Sequence, residues 1–244
     1  MSKLTKISIL IPVYNEAAFL PEILRRIEQV KIPLEREIIL IESGSTDGST
    51  QLVKQLCAEK NYIAIFEDQP RGKGSAIVKG MQVATGDLIS IQDADLEYDP
   101  NDFPELLIPI LENKTKFVLG SRHSGAKTWK IRKFDDDVWY AHVLNLGSIF
   151  FNTLFNLLYR QKLTDPQTMY KIFHRDCIQG ITWRSKRFDL DWEIVGKLIR
   201  LGYHPIELPV SYCGRSKREG KKVKLWPDAW LALFAIIRFR FEPL

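Results

Sequence analysis

Ile89-Ser90-Ile91-Gln92-Asp93-Ala94-Asp95-Leu96-Glu97-Tyr98 is a short apolar run that enters two carboxylates two positions apart, with a third at Glu97. Alternate side chains of an extended strand point the same way, so Asp93 and Asp95 can converge on one small volume at the strand's end. Two hard oxygen donors there suit a divalent cation that also holds phosphate, Mg²⁺ or Mn²⁺. The same residues would also serve a polar strand-to-loop turn, where Asp is common. The neighbouring stretches bear on that choice.

Upstream, residues 7–13 read as a buried strand that ends in Pro12-Val13-Tyr14-Asn15-Glu16. Leu20, Ile23, Leu24 and Ile27 then recur at helical spacing. Residues 37–42 form a second strand, closed by Ser43-Gly44-Ser45-Thr46-Asp47-Gly48, and Thr46 or Asp47 can cap a helix running to about Lys60. A third strand at 63–66 leads into Gln69-Pro70-Arg71-Gly72-Lys73-Gly74 and a helix over 75–84. After the central strand come a helix at 104–111 and a strand at 117–120. Alternation of this kind predicts an α/β fold, a Rossmann-like, mostly parallel central sheet flanked by helices. Ligands of such sheets lie beyond the carboxyl ends of the strands. The polar clusters fall there: Asn15/Glu16, Glu42/Ser43, Arg71/Lys73, Asp93/Asp95 and Ser121/Arg122. All five strands end this way, which points to a nucleotide site. Gly72-Lys73-Gly74 lacks the phosphate-loop spacing, and no dinucleotide fingerprint is present.

The 244 residues suffice for one large domain, and an apolar content of 45% excludes a disordered chain. The net charge of +5 permits anionic partners. Six basic side chains and one acid crowd residues 214–224. Cys57, Cys177 and Cys213 stand far apart, without metal-ligand spacing, as in a reducing compartment. No signal peptide is expected, and the apolar run at 230–237 is short of a membrane span. The expectation is a soluble or peripheral, cytoplasmic protein.

Residues 123–137 are polar and patternless, as in a lid or acceptor loop. Residues 139–159 carry a wide apolar surface at helical spacing, either core or membrane-facing. Asp165 falls at a strand or loop edge before Pro166. Asp189, Asp191 and Glu193 open a helix, where acids suit the helix dipole. A late strand follows around 204–212. The segment 226–241 combines aromatic bulk with terminal arginines, as in an amphipathic helix on anionic lipid or one docked on the body.

Taken together, Pro12-Val13-Tyr14-Asn15-Glu16, Glu42-Ser43-Gly44-Ser45-Thr46-Asp47, Arg71-Gly72-Lys73-Gly74, the Asp93-Ala94-Asp95 run and Gly120-Ser121-Arg122 resemble the family 2 glycosyltransferases of the GT-A fold. Thr164-Asp165-Pro166-Gln167-Thr168 and the stretch from Tyr212 to Lys222 extend the resemblance toward the dolichol- and polyprenol-phosphate mannosyl/glucosyltransferase branch. The resemblance implies a metal-dependent inverting transfer of a hexose from a UDP- or GDP-sugar. Residues 1–122 would be the nucleotide-sugar half, 123–225 the acceptor half of the same domain, and 226–244 an interfacial helix. Pro12, Tyr14, Glu16, Glu42, Ser43, Lys73 and Asp93 would bind the nucleotide, with Glu42 reading the base. Asp93 and Asp95 would hold Mg²⁺ or Mn²⁺, Asp95 most directly. Asp165 would act as base or acceptor-positioning group. Arg122, Ser148, Arg215 and Lys217 would hold an acceptor phosphate. Two departures are visible: Glu42-Ser43 stands where the family has paired aspartates, and Leu144 and Asn145 stand where the branch has an arginine.

Two other readings compete with a polyprenyl-phosphate acceptor at a membrane surface. One keeps the donor chemistry and uses a glycan or small-molecule hydroxyl. The other is a non-catalytic nucleotide-sugar- or nucleic-acid-binding module built on the basic 214–224 run. No nucleic-acid motif is present, and a basic loop beside a phosphate site has a nearer explanation.

Overall fold

Ile7, Ile9, Leu10 and Ile11 are fully buried, because the strand that carries them is covered on both faces. This is β1 (Lys6–Val13), and its nearly unbroken apolar sequence is what a central parallel strand requires. It pairs in parallel with β2 (Glu35–Glu42), which pairs in turn with β3 (Ile63–Phe66). On its other side lies β4 (Leu88–Ile91), also parallel. The computed structural model describes residues 3–125, 138–215 and 225–244.

The intervening helices follow the sequence periodicity. In α1 (Leu20–Gln29) the buried residues are Leu20, Ile23, Leu24 and Ile27, one stripe at helical spacing. Gly48, with φ +96°, precedes α2 (Ser49–Glu59). Asp47, one step earlier, accepts from the Ser49 amide at 3.0 Å. Next come α3 (Lys73–Val83) and α4 (Phe103–Leu111), then β5 (Phe117–Ser121) and α5 (Val138–Tyr159).

The strand after α5 is β6 (Lys171–His174), which enters between β4 and β5 and runs antiparallel to both. With α6 (Leu190–Arg200) and β7 (Ile206–Pro209) the sheet is complete, in the order β3-β2-β1-β4-β6-β5-β7. The expected α/β architecture and mostly parallel sheet are present. The antiparallel strand has a positional consequence: the loop before it, holding Asp165 and Gln167, lies beside the carboxyl ends of β4 and β5.

The last helix, α7 (Leu225–Phe241), packs on α6 and α5. Tyr159 donates to the Ile236 carbonyl at 3.1 Å, and Arg240 Nε to the Leu158 carbonyl at 2.8 Å. Phe155 stacks on Tyr159 with centroids 4.1 Å apart and lies 5.6 Å from Trp192. Both open alternatives resolve into two-faced helices. In α5, Tyr140, Ala141, Asn145, Ser148, Asn152, Phe155 and Tyr159 are buried, while Trp139, Leu146, Phe150 and Leu157 are exposed. In α7, Ala235, Ile236 and Phe239 are buried, while Trp230, Phe234 and Phe241 are exposed. By length and composition alone α5 could cross a bilayer, contrary to the expectation from the short run at 230–237. Its buried face instead belongs to the protein core.

Candidate active site

Two loops are laced together at the carboxyl end of β1. Asn15, at φ +52°, accepts from the Thr46 amide at 2.8 Å, and its own amide donates to Ser45 Oγ at 2.9 Å. The Glu16 amide donates to Ser49 Oγ at 3.0 Å and that of Ala17 to Asp47 Oδ2 at 3.0 Å. The run of small hydroxyl and acid residues after β2 thus satisfies the backbone of the turn after β1. Pro12, Tyr14, Glu16 and Ser43 line one end of a cleft of about 1200 Å³.

Glu42 does not line it. The side chain is buried and accepts from the Gly44 and Ser45 amides at 3.1 and 2.6 Å. Its extra methylene lets the carboxylate fold back and brace its own turn. Ser43 lines the cleft instead, and its hydroxyl donates to the buried Glu67 at 2.7 Å. Arg71 also lines the cleft.

At the centre lie the carboxylates of Asp93, Asp95 and Glu97. Lys73 pairs with Asp93, and Arg215 with Asp95 at 2.8 Å. Arg215 also reaches both carboxylate oxygens of Glu16 at 3.3 Å and lies 5.2 Å from the Phe19 ring. The Tyr212 hydroxyl and the Arg215 amide donate to Glu97 at 2.8 and 2.9 Å, so the 212–215 segment is sewn to the acidic turn. Leu96 holds φ +62° between Asp95 and Glu97, a strained conformation for a branched side chain, at the acidic turn.

Burial, with Asp93 and Glu97 nearby, pushes the Asp95 carboxyl up to about 6, against the pull of Arg215 and Lys73. Burial alone would lower the Lys73 ammonium, yet Asp93 and Asp191 hold it above its ordinary value. The cleft floor therefore concentrates negative charge that chain cations offset. Hard oxygen donors fit Mg²⁺ or Mn²⁺, and Asp93 and Asp95 are the residues that would hold it. Among the described residues no three acid, histidine or cysteine groups form a ready-made cage. Two carboxylates completed by diphosphate and water is the usual provision for these ions.

Arg122 also lines the cleft, its guanidinium 5.2 Å from the Tyr212 ring. Its Nε and Nη2 donate to the two Asp165 oxygens at 2.6 and 2.7 Å, and its amide donates to Oδ2 at 3.0 Å. Burial would raise the Asp165 carboxyl, but the Arg122 charge and hydrogen bonds hold it below the ordinary range. Asp165 is fully buried and committed to Arg122. Of its two expected roles the geometry suits positioning rather than proton abstraction. Ser148 lines the cleft and bonds Gln167. Leu144 lines it too, while Asn145, beside it in the branch's arginine region, is buried. Lys217 and residues 126–137 of the expected lid lie outside the described residues.

Gln167, Phe188, Asp191 and Trp192 also line the cleft, with no role foreseen for them there. The interleaving of acids and aromatics in Phe188-Asp189-Leu190-Asp191-Trp192 was the available signal, and the helix-dipole reading hid it.

The glycosyl transferase family 2 model matches residues 8–182. The dolichol-phosphate mannosyltransferase of Pyrococcus furiosus is 26% identical over 220 residues, covering 89% of this chain and 60% of that protein. An undecaprenyl-phosphate 4-deoxy-4-formamido-L-arabinose transferase of Proteus mirabilis is 30% identical over 223 residues, 90% of this chain and 63% of the relative. The chain thus spans less than two thirds of these relatives' length. Among solved structures, glucosyl-3-phosphoglycerate synthase of Mycobacterium tuberculosis with Mn²⁺, UDP and glucosyl-3-phosphoglycerate superposes with a TM-score of 0.69 at 17% identity. That superposition covers 99% of this chain and 81% of the other. The same enzyme with Mg²⁺ and UDP gives an equal score. The fold is shared with these GT-A proteins, and with its family model running from β1 past β6 the chain belongs to glycosyl transferase family 2.

Proposed function

We propose that the protein transfers a hexose from a UDP- or GDP-sugar to a polyprenyl phosphate, with inversion and with Mg²⁺ or Mn²⁺, at the cytoplasmic face of a membrane. The observation that carries the acceptor is the Arg122–Asp165 pair: the acceptor end offers a guanidinium whose partner carboxylate is fully occupied. A hydroxyl acceptor needs a base, whereas a lipid phosphate is already ionised at neutral pH and needs a cation to hold it. The relatives named for dolichol- and undecaprenyl-phosphate chemistry support the same acceptor class.

In the transfer, a non-bridging oxygen of the acceptor phosphate forms the new bond to the anomeric carbon. The bond to the diphosphate breaks on the opposite face, and its electron pair leaves on the β-phosphate oxygen, with no proton to move. A bound divalent cation would neutralise that leaving charge. Lys73 stands beside Asp93 to pair with the same diphosphate. Arg215 must leave Asp95 for a cation to enter, and it is then free to meet phosphate. Arg122 and Ser148 orient the acceptor. The exposed apolar faces of α5 and α7, with Arg238 at the helix end, suit the membrane surface that a polyprenyl acceptor implies.

The test is a comparison of polyprenyl phosphate with the corresponding polyprenol as acceptors for UDP-glucose and GDP-mannose. Label from one donor should enter the organic phase with the phosphate alone. Transfer to the alcohol, or to added glycans in its place, would overturn the acceptor assignment.

A further inference from the structure

Glu67 follows β3 with a fully buried side chain that does not line the cleft. Glu42 and Phe66 are partners in the β2–β3 register, so the residues after them, Ser43 and Glu67, leave the sheet side by side. The Ser43 hydroxyl donates to Glu67 Oε2 at 2.7 Å. The other oxygen, Oε1, is held by the Lys79 ammonium at 2.9 Å and accepts from the Ser75 hydroxyl at 3.4 Å. A carboxylate paired in this way only accepts, and a serine has a single proton to donate. That proton is committed to Glu67. The Ser43 oxygen therefore meets the cleft with lone pairs alone, an acceptor of fixed polarity.

Ser43 stands at the end of β2, two strands from β4 and the Asp93–Asp95 turn, with β1 between. Two strand spacings come to about 10 Å, which a ribose and its base can cover from a diphosphate held at that turn. Pro12 and Tyr14 line the same end of the cleft and offer it apolar faces for a flat ring. Bases differ at the ring nitrogen of their pairing edge. Uracil N3 and guanine N1 carry a hydrogen, whereas cytosine N3 and adenine N1 carry a lone pair. A fixed acceptor bonds the first kind and repels the second. We propose that Ser43 reads the ring N–H of the donor's base and that Glu67 is the positioning residue that sets the polarity of its hydroxyl, excluding cytosine and adenine nucleotides. This rests on the nucleotide-sugar reading above and deepens it, placing base selectivity in the junction of two strand ends. A site built to bond an N–H rejects the analogue without it more strongly than an apolar pocket rejects a methylene.

Calorimetric titration of the full chain with Mn²⁺ tests this, using UDP, CDP, GDP and ADP. Within the pair that binds, UDP against CDP or GDP against ADP, the base with the ring N–H should bind the wild type about 10- to 100-fold more tightly, the range for a bond whose loss leaves a desolvated acceptor unmet. In Glu67→Gln, Lys79 keeps the amide oxygen on its own side and turns the amide NH₂ toward Ser43, so the serine proton is released to the cleft. The gap should then fall at least about tenfold, with CDP or ADP gaining affinity in absolute terms. Ser43→Ala should narrow the gap without that gain, since it has no proton to offer. Glu67→Asp, which keeps a charge for Lys79 but falls a methylene short of Ser43, serves if the amide variant does not fold; it should narrow the gap as well. Equal weakening of all four nucleotides, as a merely structural role requires, or an unchanged gap in every variant, overturns the proposal. So does a wild type that binds CDP and ADP as tightly as UDP and GDP. Wild-type protein that binds no nucleoside diphosphate overturns the functional reading itself.

Discussion

Arg215 and Asp165 show how a side chain's partners decide its task. The guanidinium of Arg215 stands among Asp95, Glu16 and Glu97 as a cation of the chain's own. Arg215→Met should tighten Mn²⁺ binding in the absence of nucleotide by about tenfold, the effect of ~1.4 kcal/mol, read by electron paramagnetic resonance of the free ion. Unchanged or weaker binding would contradict that role. Asp165→Asn leaves the Arg122 charge buried without its counter-ion and should cost about 3–5 kcal/mol in chemical denaturation. It should also raise the KM for acceptor while donor affinity holds. The sign of the pH dependence follows from a carboxyl held below its ordinary value. The pair's contribution is complete above the unfolded-state carboxylate range and is lost as pH falls through the depressed folded value. The variant should therefore show a flatter acid limb of stability than the wild type. That Asp93, Asp95 and Arg122 line the cleft was legible from their place at strand ends. That Glu42 bonds its own turn was not legible, because nothing in the sequence tells whether a carboxylate at a turn faces the cleft or its own amides.

Among the elements, the first turn of α3 rests on a segment more than a hundred residues away. The Ser75 amide donates to the Lys186 carbonyl at 3.0 Å, and a Cβ on Gly74 would fall 2.7 Å from the Arg187 carbonyl oxygen and 2.9 Å from the Lys186 carbonyl carbon. Gly74→Ala must push these backbones apart, so it should cost about 1–3 kcal/mol and weaken nucleotide binding through Lys73. A variant as stable and as tight-binding as the wild type would show that the contact is incidental. The alternating strands and helices from β1 to β5 were readable because each carries its own period. β6 was not: it is four residues long, follows a polar loop, and has Lys171 among its buried positions. What makes that lysine tolerable, Asp191, is twenty positions on. Local pattern cannot reveal a strand whose stability is supplied from another element.

The molecule as a whole presents two surfaces of different character, a charged cleft and an apolar face built from α5 and α7. Trp139, Phe150, Leu157, Phe234 and Phe241 are each more than half exposed. Replacing Phe150 and Phe234 together by Ser should reduce sedimentation with anionic vesicles while leaving the thermal midpoint unchanged within about 2 °C, because neither side chain lies in the core. Undiminished sedimentation would place the membrane contact elsewhere. Composition foretold both helices but not their faces, because 139–159 is apolar around most of its circumference and only packing against Trp192 and α7 selects the inner side. In the proposed function the two surfaces act together: a nucleotide-sugar donor in the cleft meets an anionic lipid acceptor. Nucleoside diphosphate release with Mn²⁺, from a panel of UDP- and GDP-sugars with and without undecaprenyl or dolichyl phosphate, tests it most directly. One donor should be turned over only when the lipid phosphate is present, and Asp95→Ala should abolish that release. Release indifferent to the lipid, or surviving Asp95→Ala, would contradict the account.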